Sequence, residues 1–193
     1  MRQIGLFFGS FNPIHLGHTQ LAQTIYEQVG LDEIWFVVSP HNPLKDASIL
    51  ITEQQRLHMV ELAIADMPHI KACDIEFSMP KPSYTINTLR SLQSKFPDTQ
   101  FYLIIGTDNL SNFTKWKDYQ TILADYSIIT YPRQGDDIEK IRLQYPQVRF
   151  VDASFLPISS TDIRNSISQH TDTAQQWLNP RVLNYIKDNN LYQ

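Results

Sequence analysis

The chain has 193 residues, 42% of them hydrophobic and 19% charged, with a formal net charge of −4 at neutral pH. That balance is ordinary for a globular protein and excludes a surface that binds nucleic acid or an anionic membrane by overall charge. The one cysteine, Cys73, excludes an intramolecular disulfide and suits a reducing cytosol, so a cytoplasmic protein is expected. Short apolar runs then alternate with longer amphipathic stretches. In chain order the pattern predicts a strand over Gln3–Phe8 and a helix over His15–Val29. A strand over Ile34–Val38 and a helix over Thr52–Asp66 follow, and then a strand over Ile70–Asp74 and a helix over Thr85–Lys95. Next come a strand over Gln100–Ile105, a helix over Lys117–Ala124, a strand over Tyr126–Tyr131 and a helix over Asp136–Tyr145. The last elements are a strand over Val148–Val151 and helices over Thr161–Ile167 and Pro180–Asn189.

Several of these strands are almost continuously apolar, as parallel strands buried on both faces are. Strand–helix alternation predicts an α/β fold with a doubly wound parallel sheet and a small helical C-terminal extension. One domain over residues 1–193 is expected, with 158–193 as its helical C-terminal part. Thr52 with Gln55 three residues on suits a capping box, and Pro180 suits a first helical position. The apolar start Ile4–Phe8 is too short for a signal peptide, and no run approaches about 18 apolar residues, so no membrane span is expected.

Ligands of such sheets sit beyond the carboxyl ends of the strands, and there the unusual residues cluster. Gly9-Ser10-Phe11-Asn12-Pro13-Ile14-His15-Leu16-Gly17-His18 follows the first strand and opens the first helix. Gly9 lets the backbone approach a ligand, and a helix N-terminus offers unpaired N–H groups to phosphate. His15 and His18 share one helix face and can donate to phosphoryl oxygens, and Gly17 between them leaves room for a phosphate-bearing ligand. The Walker and GxGxxG spacings are absent. Two surface histidines would read the same in isolation, and a zinc site lacks a third ligand nearby. Their place behind a strand and a Gly-Ser turn favours phosphate.

This segment resembles the T/HxGH signature of the nucleotidyltransferase superfamily, which is related to the HIGH motif of class I aminoacyl-tRNA synthetases. The resemblance implies a Rossmann-like fold in which both histidines contact a nucleoside triphosphate. Ile158-Ser159-Ser160-Thr161-Asp162-Ile163-Arg164 reads as a capped helix start carrying a charged fork. It resembles the ISSTxIR element with which the superfamily holds β- and γ-phosphates, which assigns Ser160, Thr161 and Arg164 to ATP. Ser39-Pro40-His41-Asn42-Pro43-Leu44-Lys45 is a proline loop in which Lys45 is either a mobile cation for the triphosphate or a solvated lysine. It resembles the lysine-bearing loop of nicotinate-nucleotide adenylyltransferases, with Asn-Pro-Leu inserted between His41 and the lysine.

Ser83-Tyr84-Thr85-Ile86-Asn87-Thr88-Leu89 resembles the SYT-x-x-TL element of the same family, and Ile105-Gly106-Thr107-Asp108, followed by Trp116, its IG-x-D…W stretch. The tail from Pro180 to Tyr192 is similar to the family's ending. The resemblance implies transfer of the adenylyl group of ATP to nicotinate mononucleotide, with Mg²⁺ held mainly by ATP phosphates and no metal-ligating residue set. It implies catalytic roles for His15, His18, Lys45 and Arg164. Gly9, Ser10, Phe11, Gly106, Asp108 and Arg133 join the ATP site; Tyr84, Thr85, Asp108 and Trp116 form the acceptor site. Each has a plainer reading as well: Trp116 as core packing, Asp108 as a turn residue, Tyr84-Thr85 as a helix cap, Arg133 as a solvated cation. His41, His58, His69, His170 and Cys73 are given no catalytic role. Other acceptors, among them phosphopantetheine and nicotinamide mononucleotide, and a non-catalytic nucleotide-binding module are the alternatives. Monomer and homo-oligomer both stay open on sequence alone.

Overall fold

A computed structural model of the chain describes residues 1–40, 50–153 and 157–193. The strands are β1 (Arg2–Gly9), β2 (Glu33–Val38), β3 (Ile70–Cys73), β4 (Thr99–Gly106), β5 (Ser127–Tyr131) and β6 (Arg149–Phe150). They form one parallel sheet in the order β3-β2-β1-β4-β5-β6. The helices are α1 (Leu16–Val29), α2 (Glu53–Ile64), α3 (Thr85–Lys95), α4 (Thr107–Ser111), α5 (Tyr119–Asp125), α6 (Ile138–Gln144), α7 (Ser160–Ser168) and α8 (Pro180–Asp188). The doubly wound α/β expectation holds. No helix among the described residues is long and apolar enough to cross a membrane.

The two-residue period of β1 sorts its side chains between two cores. Ile4 and Leu6 join Ile86 and Leu89 of α3, Ile122 of α5 and Ile141 of α6. Phe7 joins Ala22 and Ile25 of α1, Met59 and Val60 of α2, Ile163 of α7 and Val182 of α8. Helices thus cover both faces, and every central strand is buried on both sides. The chain winds outward from β1 through β2 to β3, then returns to pair β4 with the other edge of β1. Neighbouring connections diverge there, which opens a crevice beyond Gly9 and Gly106.

Local signals act as read. Thr52 and Gln55 cap α2 reciprocally, and Pro180 opens α8 under an Asn179 cap. The helix expected from Lys117 starts only at Tyr119, because Asp118 adopts a left-handed φ of 51°. The last strand shrinks to two residues at the sheet edge. Among the described residues four short pieces escape the periodic pattern: α4 and the short helical segments Ile75–Ser78, Phe113–Lys115 and Asp172–Trp177.

Gly5, at the centre of β1, has no room for a side chain. A Cβ there would lie 2.7 Å from Ile104 Cδ1 and 2.8 Å from Leu31 Cδ1. Gly5→Val is expected to destabilise the fold by about 1–3 kcal/mol, the usual cost of overpacking a dense core. Urea unfolding checks this as a lower midpoint with an unchanged slope.

Candidate active site

Two cavities open beyond the carboxyl ends of β1 and β4. The first has a volume of about 580 Å³ and the second about 260 Å³. Phe7, Phe8, Gly9, Asn109 and Tyr131 line both and so form their shared wall.

The first cavity gathers Gly9, Ser10, Phe11, His15, His18, Asp108, Arg133, Ser160, Thr161 and Arg164. His15 caps α1, and its main-chain N–H donates to His18 Nδ1 at 3.3 Å. A neutral His18 therefore carries its proton on Nε2, as a donor. The two imidazoles lie against each other with centroids 3.8 Å apart. His15 is 7% exposed, and its Nδ1 is buried with no hydrogen-bond partner among the described residues. Burial pushes the His15 imidazolium down to about 4, Arg133 adds to the shift, and Asp162 opposes it. The ring is neutral at physiological pH. Gly17 serves this ring first: a Cβ at Gly17 would meet His15 Nδ1 at 2.9 Å. Gly9 is likewise covered by the Phe11 ring, at 2.7 Å from where a Cβ would stand.

The opposite side is the start of α7. Ser159 and Asp162 cap it reciprocally, and these bonds hold the Asp162 carboxyl below its usual range. Arg164 Nη1 donates to Asn12 O at 2.8 Å and Nη2 to Thr161 Oγ1 at 3.2 Å. Ser160 Oγ donates to Pro13 O at 2.8 Å. The hydroxyl expected to serve an anion has given its proton to a carbonyl, whereas Thr161 accepts from Arg164 and keeps its own. Farther round, Arg133 N–H donates to Thr107 Oγ1 at 2.8 Å, and Arg133 Nε stands 3.9 Å from Asp108 Oδ1. Tyr131, under this pair, has its phenol pushed up to about 12 by burial.

The second cavity brings Tyr84, Thr85 and Trp116 together. Tyr84 caps α3 and Thr85 opens it, so the first N–H groups of that helix lack intrahelical acceptors. Trp116 is half-buried, packed on Phe113 with centroids 5.1 Å apart, and presents its remaining surface to the cavity. Both readings of Trp116, packing and lining, are therefore true at once. Glu76 is 2% exposed and accepts from Ser83 Oγ and Thr88 Oγ1, each at 2.7 Å, which fixes the turn before α3. Two residues lie differently from the other members of their expected groups. Gly106, placed with ATP, lines the second cavity, because Arg133 and Asp108 lie over it on the other side. Asp108, placed in both subsites, lines only the first. Lys45 and His41 lie outside the described residues.

Sequence reasoning passed over Glu76, Asn12, Tyr192 and Arg56. Tyr192 OH donates to Asn12 Oδ1 at 2.8 Å. Arg56 had a signal: it shares the buried stripe of α2 with Met59, Val60 and Ile64, where a cation is unusual. Among the described residues no three His, Cys, Asp or Glu side chains gather as a metal site.

A parallel sheet with a histidine-capped helix at its switch point and an arginine-bearing helix start opposite belongs to nucleotide-handling enzymes of the nucleotidyltransferase class. In agreement, residues 6–166 match the cytidylyltransferase-like family model. A "Probable nicotinate-nucleotide adenylyltransferase" of Flavobacterium johnsoniae is 48% identical over 99% of both chains. Another so named, from Cytophaga hutchinsonii, is 50% identical over 86% of both. The Plasmodium falciparum nicotinic acid mononucleotide adenylyltransferase complexed with NaAD has the same fold, with a TM-score of 0.86 at 22% identity over 100% of this chain and 98% of that one. The chain belongs to the nicotinate-nucleotide adenylyltransferase family.

The depressed His15 pKa has a consequence for stability. Unfolded, the imidazole has its ordinary value of 6.5; folded, it titrates at about 4. The unfolded state therefore binds the proton first as pH falls, and the stability present above 6.5 is lost on the way down to 4. His15→Asn is expected to remove roughly 2 kcal/mol of the stability difference between about pH 7.5 and about pH 5. Denaturant titrations of both proteins at the two pH values measure it.

Proposed function

We propose that the first cavity holds ATP, that the second holds nicotinate mononucleotide, and that the residues named above carry the roles expected of them. The enzyme transfers the adenylyl group of ATP to that acceptor, giving nicotinate adenine dinucleotide and pyrophosphate. The observation that carries the reading is the shared wall: two cavities of unequal size meet at Phe7–Gly9, where two nucleotides can face each other.

The acceptor's 5′-phosphate is already an anion and needs no general base. One of its oxygens forms a bond to the α-phosphorus, and the bond from that phosphorus to the bridging oxygen breaks. The electron pair leaves with pyrophosphate. The protein's task is placement and charge stabilisation. His18, donating from Nε2, and His15 serve the α- and β-phosphates. Arg164, Thr161 and the first N–H groups of α7 serve the β- and γ-phosphates, and Lys45 joins them. Arg133 lies against the base. Asp108, a carboxylate at the rim of the first cavity, suits a hydrated Mg²⁺, which keeps several waters and takes few protein ligands. The ion, when bound, neutralises phosphate charge. A cytoplasmic enzyme acting as one domain fits the composition.

In the second cavity the pyridinium faces Trp116, and the carboxylate meets the N–H groups and hydroxyl of Tyr84-Thr85. Nicotinamide mononucleotide offers an amide instead, so one donor there faces an NH₂ group. An unpaired buried donor costs roughly 1–3 kcal/mol, and lost charge assistance adds to it. Wild-type enzyme with ATP and Mg²⁺ is therefore expected to prefer the nicotinate acceptor by about 10² or more in kcat/KM. Chromatography of products with each acceptor tests both claims. No dinucleotide from either would overturn the activity; equal kcat/KM would show that the carboxylate is not read.

His18→Ala is expected to lower kcat by about 10² to 10³ with the fold intact, as loss of a donor to developing charge does. Single-turnover rates beside a circular-dichroism melt decide it. A near-wild-type rate would remove His18 from the chemistry.

A further inference from the structure

Arg56 is the largest fully buried side chain among the described residues, 1% exposed; it lines neither of the two cavities above, only an open hollow of about 330 Å³ beside Pro40 and Ile51. Among the described residues its hydrogen bonds go to four main-chain carbonyls. Nη1 donates to Ser10 O at 2.6 Å and to Ser39 O at 2.7 Å. Nη2 donates to Pro40 O at 2.9 Å, and Nε to Ile51 O at 3.2 Å. A buried guanidinium so placed loses its hydration for the sake of geometry, and burial lowers its pKa accordingly. Two of its acceptors belong to different subsites. Ser10 lines the first cavity and Ser39 the second.

We propose that Arg56 is a positioning residue that sets the first cavity against the second by clamping the carbonyls of Ser10 and Ser39 with one nitrogen. It touches neither substrate. This rests on the reading of the cavities as donor and acceptor sites. The physical argument has two steps. The turn after β1 carries Ser10 and Phe11, and the loop after β2 begins at Ser39; the strands fix Gly9 and Val38, and Ser39 N–H still donates to Gly9 O at 2.9 Å. Beyond that bond the two segments part, and the planar guanidinium bridges them at a fixed spacing. In the second step, the trans Ser10–Phe11 peptide points its N–H away from its carbonyl, and so away from Arg56. A cation on the carbonyl polarises that peptide and strengthens its N–H as a donor. A lysine keeps the charge but not a fork that spans four carbonyls.

A positioning role predicts a pattern that loss of folded enzyme does not. In Arg56→Lys, ATP and nicotinate mononucleotide should each bind alone within about threefold of wild type, at full stoichiometry. The dinucleotide product, which spans both sites, should bind at least about tenfold more weakly, and kcat should fall by about 10 to 10², since small misplacement of reacting atoms is costly. Calorimetric titration of the three nucleotides and steady-state kinetics give all four numbers. Unchanged dinucleotide affinity and kcat, or a uniform loss matched by lower stoichiometry, would overturn the proposal. Should Arg56→Lys fail to fold, wild-type protein decides. The Arg56 side-chain ¹⁵N resonances should shift more on dinucleotide binding than on binding either mononucleotide, and still resonances would overturn it. Failure of the donor–acceptor reading shows separately, as wild-type enzyme that makes no dinucleotide.

Discussion

The turn that follows β1 is held carbonyl by carbonyl, and the site depends on that. Arg56 holds Ser10 O, Arg164 holds Asn12 O, and Ser160 holds Pro13 O. Tyr192, near the end of the chain, holds the Asn12 side chain. The donors come from α2, α7 and the segment after α8, so three distant parts of the chain close on one short loop. An isolated turn of this kind would sample many conformations, and each of these bonds alone is worth only about 1 kcal/mol, or somewhat more where the donor is charged. Together they orient a row of peptide units.

The same arrangement explains how a chain of net charge −4 can hold a polyphosphate. The cations are local and unequal. Arg164 is engaged with the turn yet lines the cavity, while Arg133 stands near Asp108 at the other side. His15 itself adds no charge, because burial and Arg133 both disfavour its imidazolium. It is a dipole aligned by its ring neighbour, not an ion. A bound polyanion pushes in the other direction and raises its proton affinity. Nucleotide binding and protonation at His15 are thereby linked in one site, with the sign set by the charge of what enters.

The sheet was legible because its signal is local and strong. β-Rich apolar runs such as Ile4–Phe8 and Phe101–Ile105 leave few alternatives, and every predicted strand is present. Caps such as Thr52 with Gln55 were readable from spacing alone. The histidine turn and the α7 start were readable because they resemble known motifs at strand ends. What escaped depends on contacts across the sequence. Nothing near Glu76 announces that Ser83 and Thr88 will bond to it, and nothing near Tyr192 announces Asn12. Gly17 was assigned to the ligand when its lack of a side chain first makes room for His15, a fact visible only once the ring's orientation is known.

The two cavities also differ in what they ask of the protein. The first is walled by loop backbone and charged side chains. The second is half the size, and its walls are an aromatic ring on Phe113 and the opening turn of α3. In the second, one helix start presents donors, and Glu76 fixes the turn that carries them. Glu76 is itself a buried carboxylate beside that cavity.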